Sequence, residues 1–221
     1  MSTPDRLTLS ERMAQARLRT AAARVAPVGA PVAPQSHVPG QSWQVPARPG
    51  DHLTLMPGQM HFGGPAATLR TLLGSCVAVT LWHPLRRIGG MCHYLLPKRT
   101  RRAADPADGR YGDEALAAMV QLLRQARTEP QEYHAHLYGG ADTMPEGTNL
   151  MFNVGERNIE QGWSLIDQYG FQLQGVDVGE DVPRSLTLTL ASGEVEMRRG
   201  GGKAPPLQLT PGNLLPPLRR G

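Results

Sequence analysis

Two neighbouring stretches constrain the fold of this chain more than any other part of it. They are Thr71-Leu-Leu-Gly-Ser-Cys-Val-Ala-Val-Thr80 and Gly89-Gly-Met-Cys-His-Tyr-Leu-Leu-Pro97. Val77, Val79 and Leu81 alternate with Cys76, Ala78 and Thr80, a period of two that predicts a strand with two differently packed faces. Between the two stretches, Trp82-His-Pro-Leu-Arg-Arg87 carries the turn signal His-Pro. A hairpin centred between Pro84 and Leu85 sets Cys76 directly opposite His93. Directly opposed residues have Cβ atoms roughly 4.5–5.5 Å apart. A thiol and an imidazole that close share a proton, the arrangement that makes a cysteine nucleophilic near neutral pH. Gly74 and Ser75 just before the thiol let the backbone bend, which lifts the sulfur from the sheet and frees N–H groups for an oxyanion. The same residues also fit a plainer reading, a small buried hydrophobe in an apolar strand.

The remaining length supports one well-buried domain with tails in a chain of 221 residues. Residues 1–50 read as an N-terminal extension. Thr8-Leu-Ser-Glu11 is a capping box at the head of an Ala/Arg-rich run to Val25, a marginal helix. The six prolines from Pro27 to Pro49 then make a linker, with Trp43 in its midst. The extension is expected to be dispensable for folding. The domain spans 51–199, and the Gly/Pro-rich chain from 200 to 221 predicts a disordered tail.

Within the domain, strands are expected at Leu53–Met56, Ala66–Leu69, Tyr133–Tyr138, Phe171–Val178, Ser185–Leu190 and Glu194–Arg198. A helix from Asp113 to about Arg127 buries Leu116, Met119, Val120 and Leu123, and a second, capped by Asn153, buries Ile159, Trp163 and Ile166 before Gly170 stops it. Strand-rich segments with two inserted helices give an α+β domain.

Composition excludes several classes. The net charge is +4, almost all of it from arginine, but the basic residues are scattered and aromatics are too few for a stacking platform, so no nucleic-acid partner is expected. The basic cluster Lys98-Arg-Thr-Arg-Arg102 is read as a solvated loop or a guide for an acidic partner. No apolar run reaches the length of a membrane span, so no membrane insertion is expected. The N-terminus has no apolar signal region, and a chain with two cysteines pointing to opposite faces is expected to keep them reduced in the cytoplasm. His134 and His136 share a strand face, but no third ligand stands nearby, so no metal is expected.

The motifs together resemble the chemoreceptor glutamine deamidase family, CheD. The match begins at Leu73-Gly-Ser-Cys-Val-Ala-Val79 and His93-Tyr-Leu-Leu-Pro97. It continues in order through Tyr111-Gly-Asp-Glu-Ala115, Gly139-Gly-Ala141, Asn153-Val-Gly-Glu-Arg-Asn158, Asp177-Val-Gly179 and Arg184, spanning Leu53 to Arg199. The resemblance implies a layered α/β/β arrangement, with two stacked sheets and helices on one side. It implies hydrolysis of glutamine side-chain amides to glutamate on the cytoplasmic helical bundle of chemoreceptors, without a cofactor. A CheC-type phosphatase is an implied partner. Cys76 falls on the nucleophile, His93 on the base and Thr71 on the third residue. Ser75, Gly74, Gly139, Gly140 and Asn153 stand as substrate or oxyanion candidates. Thr71 lies five residues before Cys76, so a regular strand would point the two to opposite faces, and a bend at Gly74 is required. Glu180 departs from the family pattern, which tends to Gly-Gly at 179 and 180. Two rivals stand beside this reading. One is a binding module that engages receptors or a phosphatase without turnover. The other is a cysteine peptidase, for which Gly74-Ser-Cys76 lacks the surrounding signature.

Overall fold

The computed structural model describes residues 43–102, 105–142 and 154–200. The N-terminal helix expected before Val25 and most of the C-terminal tail lie outside the described residues. The elements run β1 (His52–Thr54), β2 (Met60–Gly63), β3 (Thr68–Leu73), β4 (Val77–His83), β5 (Ile88–Tyr94), α1 (Gly112–Gln125), a 3₁₀ turn (Pro130–Glu132), β6 (His134–Gly139), α2 (Val154–Tyr169), β7 (Gln172–Val178), β8 (Arg184–Thr189) and β9 (Glu194–Arg199). They build two sheets, one of four strands in the order β1-β3-β8-β9 and one of five in the order β2-β5-β4-β6-β7.

The period-two alternation of β4 and β5 divides the core. Val77, Val79, Leu81, Cys92 and Tyr94 face a layer of helix residues that includes Leu116, Met119, Ile159 and Ile166. Ala78 and Met91 face the other way, toward Leu69, Leu73, Leu186 and Leu188 of the four-stranded sheet. The result is an α+β fold in three layers, helices on one side, then the five-stranded sheet, then the four-stranded one. Every residue of β5 is buried, as a strand covered on both faces requires. Cys76 and Cys92 belong to the two different packing layers, and both are free thiols.

The two helices form where their apolar spacing predicts. Leu116, Met119, Val120 and Leu123 are buried on α1, and Ile159 and Ile166 on α2, with Trp163 packed partly against them. Gly170, in the left-handed region at φ 78°, ends α2, and the N–H of Phe171 returns to the carbonyl of Ile166.

Two expectations are corrected. The stretch from Thr71 to Thr80 is not one strand. It ends one sheet with β3, bends at Gly74 and Ser75, and starts the other with β4. The hairpin is centred two half-steps further on: the loop is Pro84–Arg87, closed by Arg87 at φ 51° and its N–H to the His83 carbonyl at 2.8 Å. Pro84 opens the turn and is not at its middle. Ala78, not Cys76, therefore stands opposite His93.

The packed chain also begins ahead of Asp51. Val45 N–H bonds the Met60 carbonyl, and Met60 N–H bonds that of Trp43, which lays this segment along the edge of β2. The Trp43 indole packs on the helix-side core and donates its Nε1–H to Ala107 O at 3.0 Å.

Candidate active site

The site grows from the place where the chain changes sheets. Gly74, Ser75 and Cys76 form an irregular link between β3 and β4, and two of its carbonyls are held by the end of β6. Ala141 N–H donates to Gly74 O at 2.8 Å and Gly140 N–H to Cys76 O at 2.7 Å. This close approach needs glycine: a Cβ on Gly139, where φ is 106°, would lie 2.3 Å from the Cys76 carbonyl oxygen. Gly139 and Gly140 thus shape the link, and the Gly140 amide is already engaged. Among the described residues the amides of Ser75 and Cys76 donate to no protein acceptor. Asn153 lies outside the described residues.

Cys76 is half-buried and packs into the layer between the sheets. It stands just ahead of β4. His93 points into the same layer through its contacts with Thr71 and Leu55. No hydrogen bond joins the two in this resting arrangement, and His93 Nε2 has no partner among the described residues.

The other ring nitrogen is fixed. Thr71 projects from β3 across the gap between the sheets, with its Oγ1 at 2.7 Å from His93 Nδ1. The same hydroxyl donates to Leu55 O at 2.8 Å. A hydroxyl has one proton, and a carbonyl only accepts. With that proton committed to Leu55, the bond to the ring must come from Nδ1–H. Leu55 O also lies 3.4 Å from Nδ1, a second acceptor for the same proton. The neutral imidazole is therefore protonated on Nδ1 and bare on Nε2, the state of a base. The parity objection to Thr71 disappears because Thr71 lies in β3 and Cys76 lies beyond the bend at Gly74 and Ser75, in the link that leads to the other sheet.

Burial dominates the electrostatics. It pushes the Cys76 thiol above its ordinary value and holds His93 down at about 4. At neutral pH the resting pair is thiol and neutral imidazole, not the thiolate that adjacency alone suggests. Cys92, fully enclosed, is pushed up to about 12 and is inert at neutral pH.

Around this centre the walls are tied by charge. Arg184, fully buried on β8, pairs with Asp177 of β7 at 2.5 Å and so joins the two sheets beside the link. Arg199 reaches the same carboxylate at 2.6 Å. Glu180 follows Gly179 into the left-handed region at φ 60°, a conformation that glycine adopts freely, and its carboxylate turns to Arg199 at 2.9 Å. His134 and His136 do share a face, but His136 is occupied with Thr80 Oγ1 at 3.3 Å and stacks on Tyr138. Among the described residues no group of three or more metal-ligating side chains occurs, and no helix is long and apolar enough to cross a membrane.

Sequence reasoning passed over two members of the site. Leu55 acts through its carbonyl, which leaves no side-chain signal. Asn158 of α2 is fully buried and bonds the main chain on both sides of the site; its polarity on an apolar helix face was the available clue.

Known proteins resemble this chain in sequence. The family described as CheD chemotactic sensory transduction matches residues 95–199. "Probable chemoreceptor glutamine deamidase CheD 1" of Chromobacterium violaceum is 40% identical over 175 residues, covering 78% of this chain and 90% of that protein. "Probable chemoreceptor glutamine deamidase CheD 3" of Dechloromonas aromatica is 43% identical over 141 residues, covering 64% and 83%. That of Pseudomonas savastanoi pv. phaseolicola is 41% identical over 148 residues, covering 66% and 83%.

Proposed function

As this chain belongs to the CheD family, we propose that it is a protein-glutamine deamidase that hydrolyses glutamine side-chain amides on chemoreceptors, with Cys76 as nucleophile and His93 as base. The observation that carries this reading is the Thr71–His93 bond, which leaves Nε2 bare on a ring that points into the layer where Cys76 packs.

The chemistry follows from the resting charges. A neutral thiol attacks poorly, so its proton must leave as the carbon–sulfur bond forms. His93 Nε2 takes that proton while Sγ adds to the carboxamide carbon. The imidazolium is stabilised by the Thr71 hydroxyl oxygen and the Leu55 carbonyl, both acceptors for Nδ1–H. The negative charge on the former carbonyl oxygen is met by the amides of Ser75 and Cys76. The tetrahedral adduct collapses, the carbon–nitrogen bond breaks, and Nε2–H protonates the departing amine, which leaves as ammonia. Water then attacks the thioester with Nε2 again as base. This releases glutamate and restores the thiol. No step calls for a cofactor.

The site lies at one end of the five-stranded sheet, where β4 begins and β5 ends. A folded helical bundle presents glutamines on a rigid surface, whereas a flexible peptide loses ordering entropy on entering. A CheC-type phosphatase belongs to this reading as a regulator.

Ammonia release from a folded receptor cytoplasmic fragment tests the proposal. Wild type should release it and Cys76→Ala should not, while Cys76→Ala retains binding because a thiol adds little contact area. Binding without ammonia from wild type, across several receptors of one cell, would make the chain a non-catalytic module.

A further inference from the structure

Three successive carbonyls of the link are held, and they are not held from one side. Those of Gly74 and Cys76 go to the backbone at Ala141 and Gly140. The one between them, Ser75 O, goes to a side chain. Asn158 Nδ2 donates to it at 3.2 Å and, with its second proton, to Leu95 O at 2.7 Å. Two carbonyl acceptors need two donors, so the amide cannot be flipped. Asn158 is itself anchored, because its main-chain carbonyl accepts the Tyr94 hydroxyl at 2.6 Å. Leu95 follows the last residue of β5, two positions after His93. Asn158 thus ties the residue before the nucleophile to the strand that carries the base.

The peptide bond turns this tie into a direction. In a trans peptide the C=O and the following N–H share one plane and point opposite ways. Asn158 lies on α2, on the helix side of the five-stranded sheet, and draws Ser75 O that way. The N–H of Cys76, in the same peptide plane, is thereby aimed to the opposite side, toward the layer between the sheets where the Cys76 side chain packs. Packing alone does not require an amide here. Asn158 is fully buried and its Oδ1 has no partner among the described residues, a local cost that an apolar side chain of similar size would avoid.

We propose that Asn158 is a positioning residue: by holding Ser75 O it aims the Cys76 amide at the oxygen of the substrate carboxamide, where charge develops in the transition state. This rests on the deamidase reading and assigns one of its donors to a cause.

The test uses the full chain with Asn158→Leu, and two reactions of the same thiol. Alkylation of Cys76 by iodoacetamide is a displacement at carbon with no oxyanion, so it reports on fold and thiol access alone. Deamidation of a receptor fragment needs the oxyanion donor. Asn158→Leu should keep its alkylation rate within about twofold, while kcat falls about a hundredfold with KM nearly unchanged, the loss typical of one misdirected oxyanion donor. Labelling of Cys92, enclosed in the wild type, reports on any loss of fold. If Asn158→Leu exposes Cys92, Asn158→Asp is measured in its place, since it fills the same volume with at most one donor. Unchanged kcat in the folded variant overturns the inference. So does a parallel fall of alkylation and kcat, which would mean general loosening, and so does exposure of Cys92 in both variants, which would make Asn158 a packing residue. Lack of turnover by wild type on every receptor fragment removes the deamidase reading and this inference with it. Turnover by wild type and variant alike removes the inference only.

Discussion

Thr71 and His93 face each other from different sheets, with 2.7 Å between Oγ1 and Nδ1. The base of the site is therefore set by how the two sheets stack, not by the strand that carries the nucleophile. Leu55 completes the arrangement by accepting a hydrogen bond from the Thr71 hydroxyl, which leaves Nδ1–H to donate to Oγ1 and Nε2 bare.

Replacing Thr71 with valine keeps the shape and removes the hydroxyl. Nδ1–H is then left with the Leu55 carbonyl at 3.4 Å, and the ring can take its other tautomer. We expect kcat to fall about 10- to 100-fold, part of the typical contribution of a positioned base. Stability should fall by about 1–3 kcal/mol from the orphaned buried groups. Thr71→Ser should recover most of both. Steady-state kinetics and urea unfolding read the two effects, and a valine variant as active as wild type would remove Thr71 from the site.

The histidines set the response to acid. Burial holds His93 and His136 down at about 4 in the folded chain, against about 6.5 in an unfolded one. As pH falls from about 6.5 to about 4, the unfolded state binds protons that the folded state refuses, so stability is lost over that window and levels off below it. The slope reaches at most about 1.4 kcal/mol per pH unit for each histidine, and less for His136, which is partly exposed. Urea unfolding from pH 7 to 4 should show the loss, and His136→Gln should shallow it. The acid limb of kcat/KM should fall near pH 4 to 5 for the same reason; a limb near 6.5, or a flat stability curve, would contradict the burial of the base.

Trp43 argues for a longer domain than the prolines around it suggest. Its indole is pinned to Ala107, and Val45 and Met60 bond beside it. A chain starting at Ser42 should melt like the full chain. One starting at Pro49 should lose about 2–4 kcal/mol, by analogy with truncating a large core side chain. Equal melting of the two would mean that the Trp43 segment adds nothing to stability.

Much of this was legible in the residues, and the gaps have physical causes. The alternation around Val77 and Val79 exposed β4 and its two packing faces. The identical apolar content of Thr71–Leu73 hid that these residues belong to another sheet, because a bend at Gly74 leaves no break in hydrophobicity. The hairpin centre was misplaced because Pro84 fixes where a turn starts, not how long it runs. Leu55 contributes a main-chain atom, which no side-chain pattern announces. Trp43 was hidden among prolines, where no periodicity marks a docked edge. Cys76, just ahead of β4, packs against the layer that His93 faces, although Ala78 and not Cys76 stands opposite the histidine.

The central claim is that Cys76, with His93 as base, converts glutamine to glutamate on a folded chemoreceptor. Peptide mass spectrometry of a receptor cytoplasmic fragment, after incubation with wild type, Cys76→Ala and His93→Ala, tests it most directly. Replacing an amide NH₂ by OH adds about 1 Da per converted glutamine. The account predicts that gain at specific glutamines with wild type, none with Cys76→Ala, and a rate at least about a hundredfold lower with His93→Ala. Identical masses with wild type and Cys76→Ala, under conditions where both bind the fragment, would contradict it.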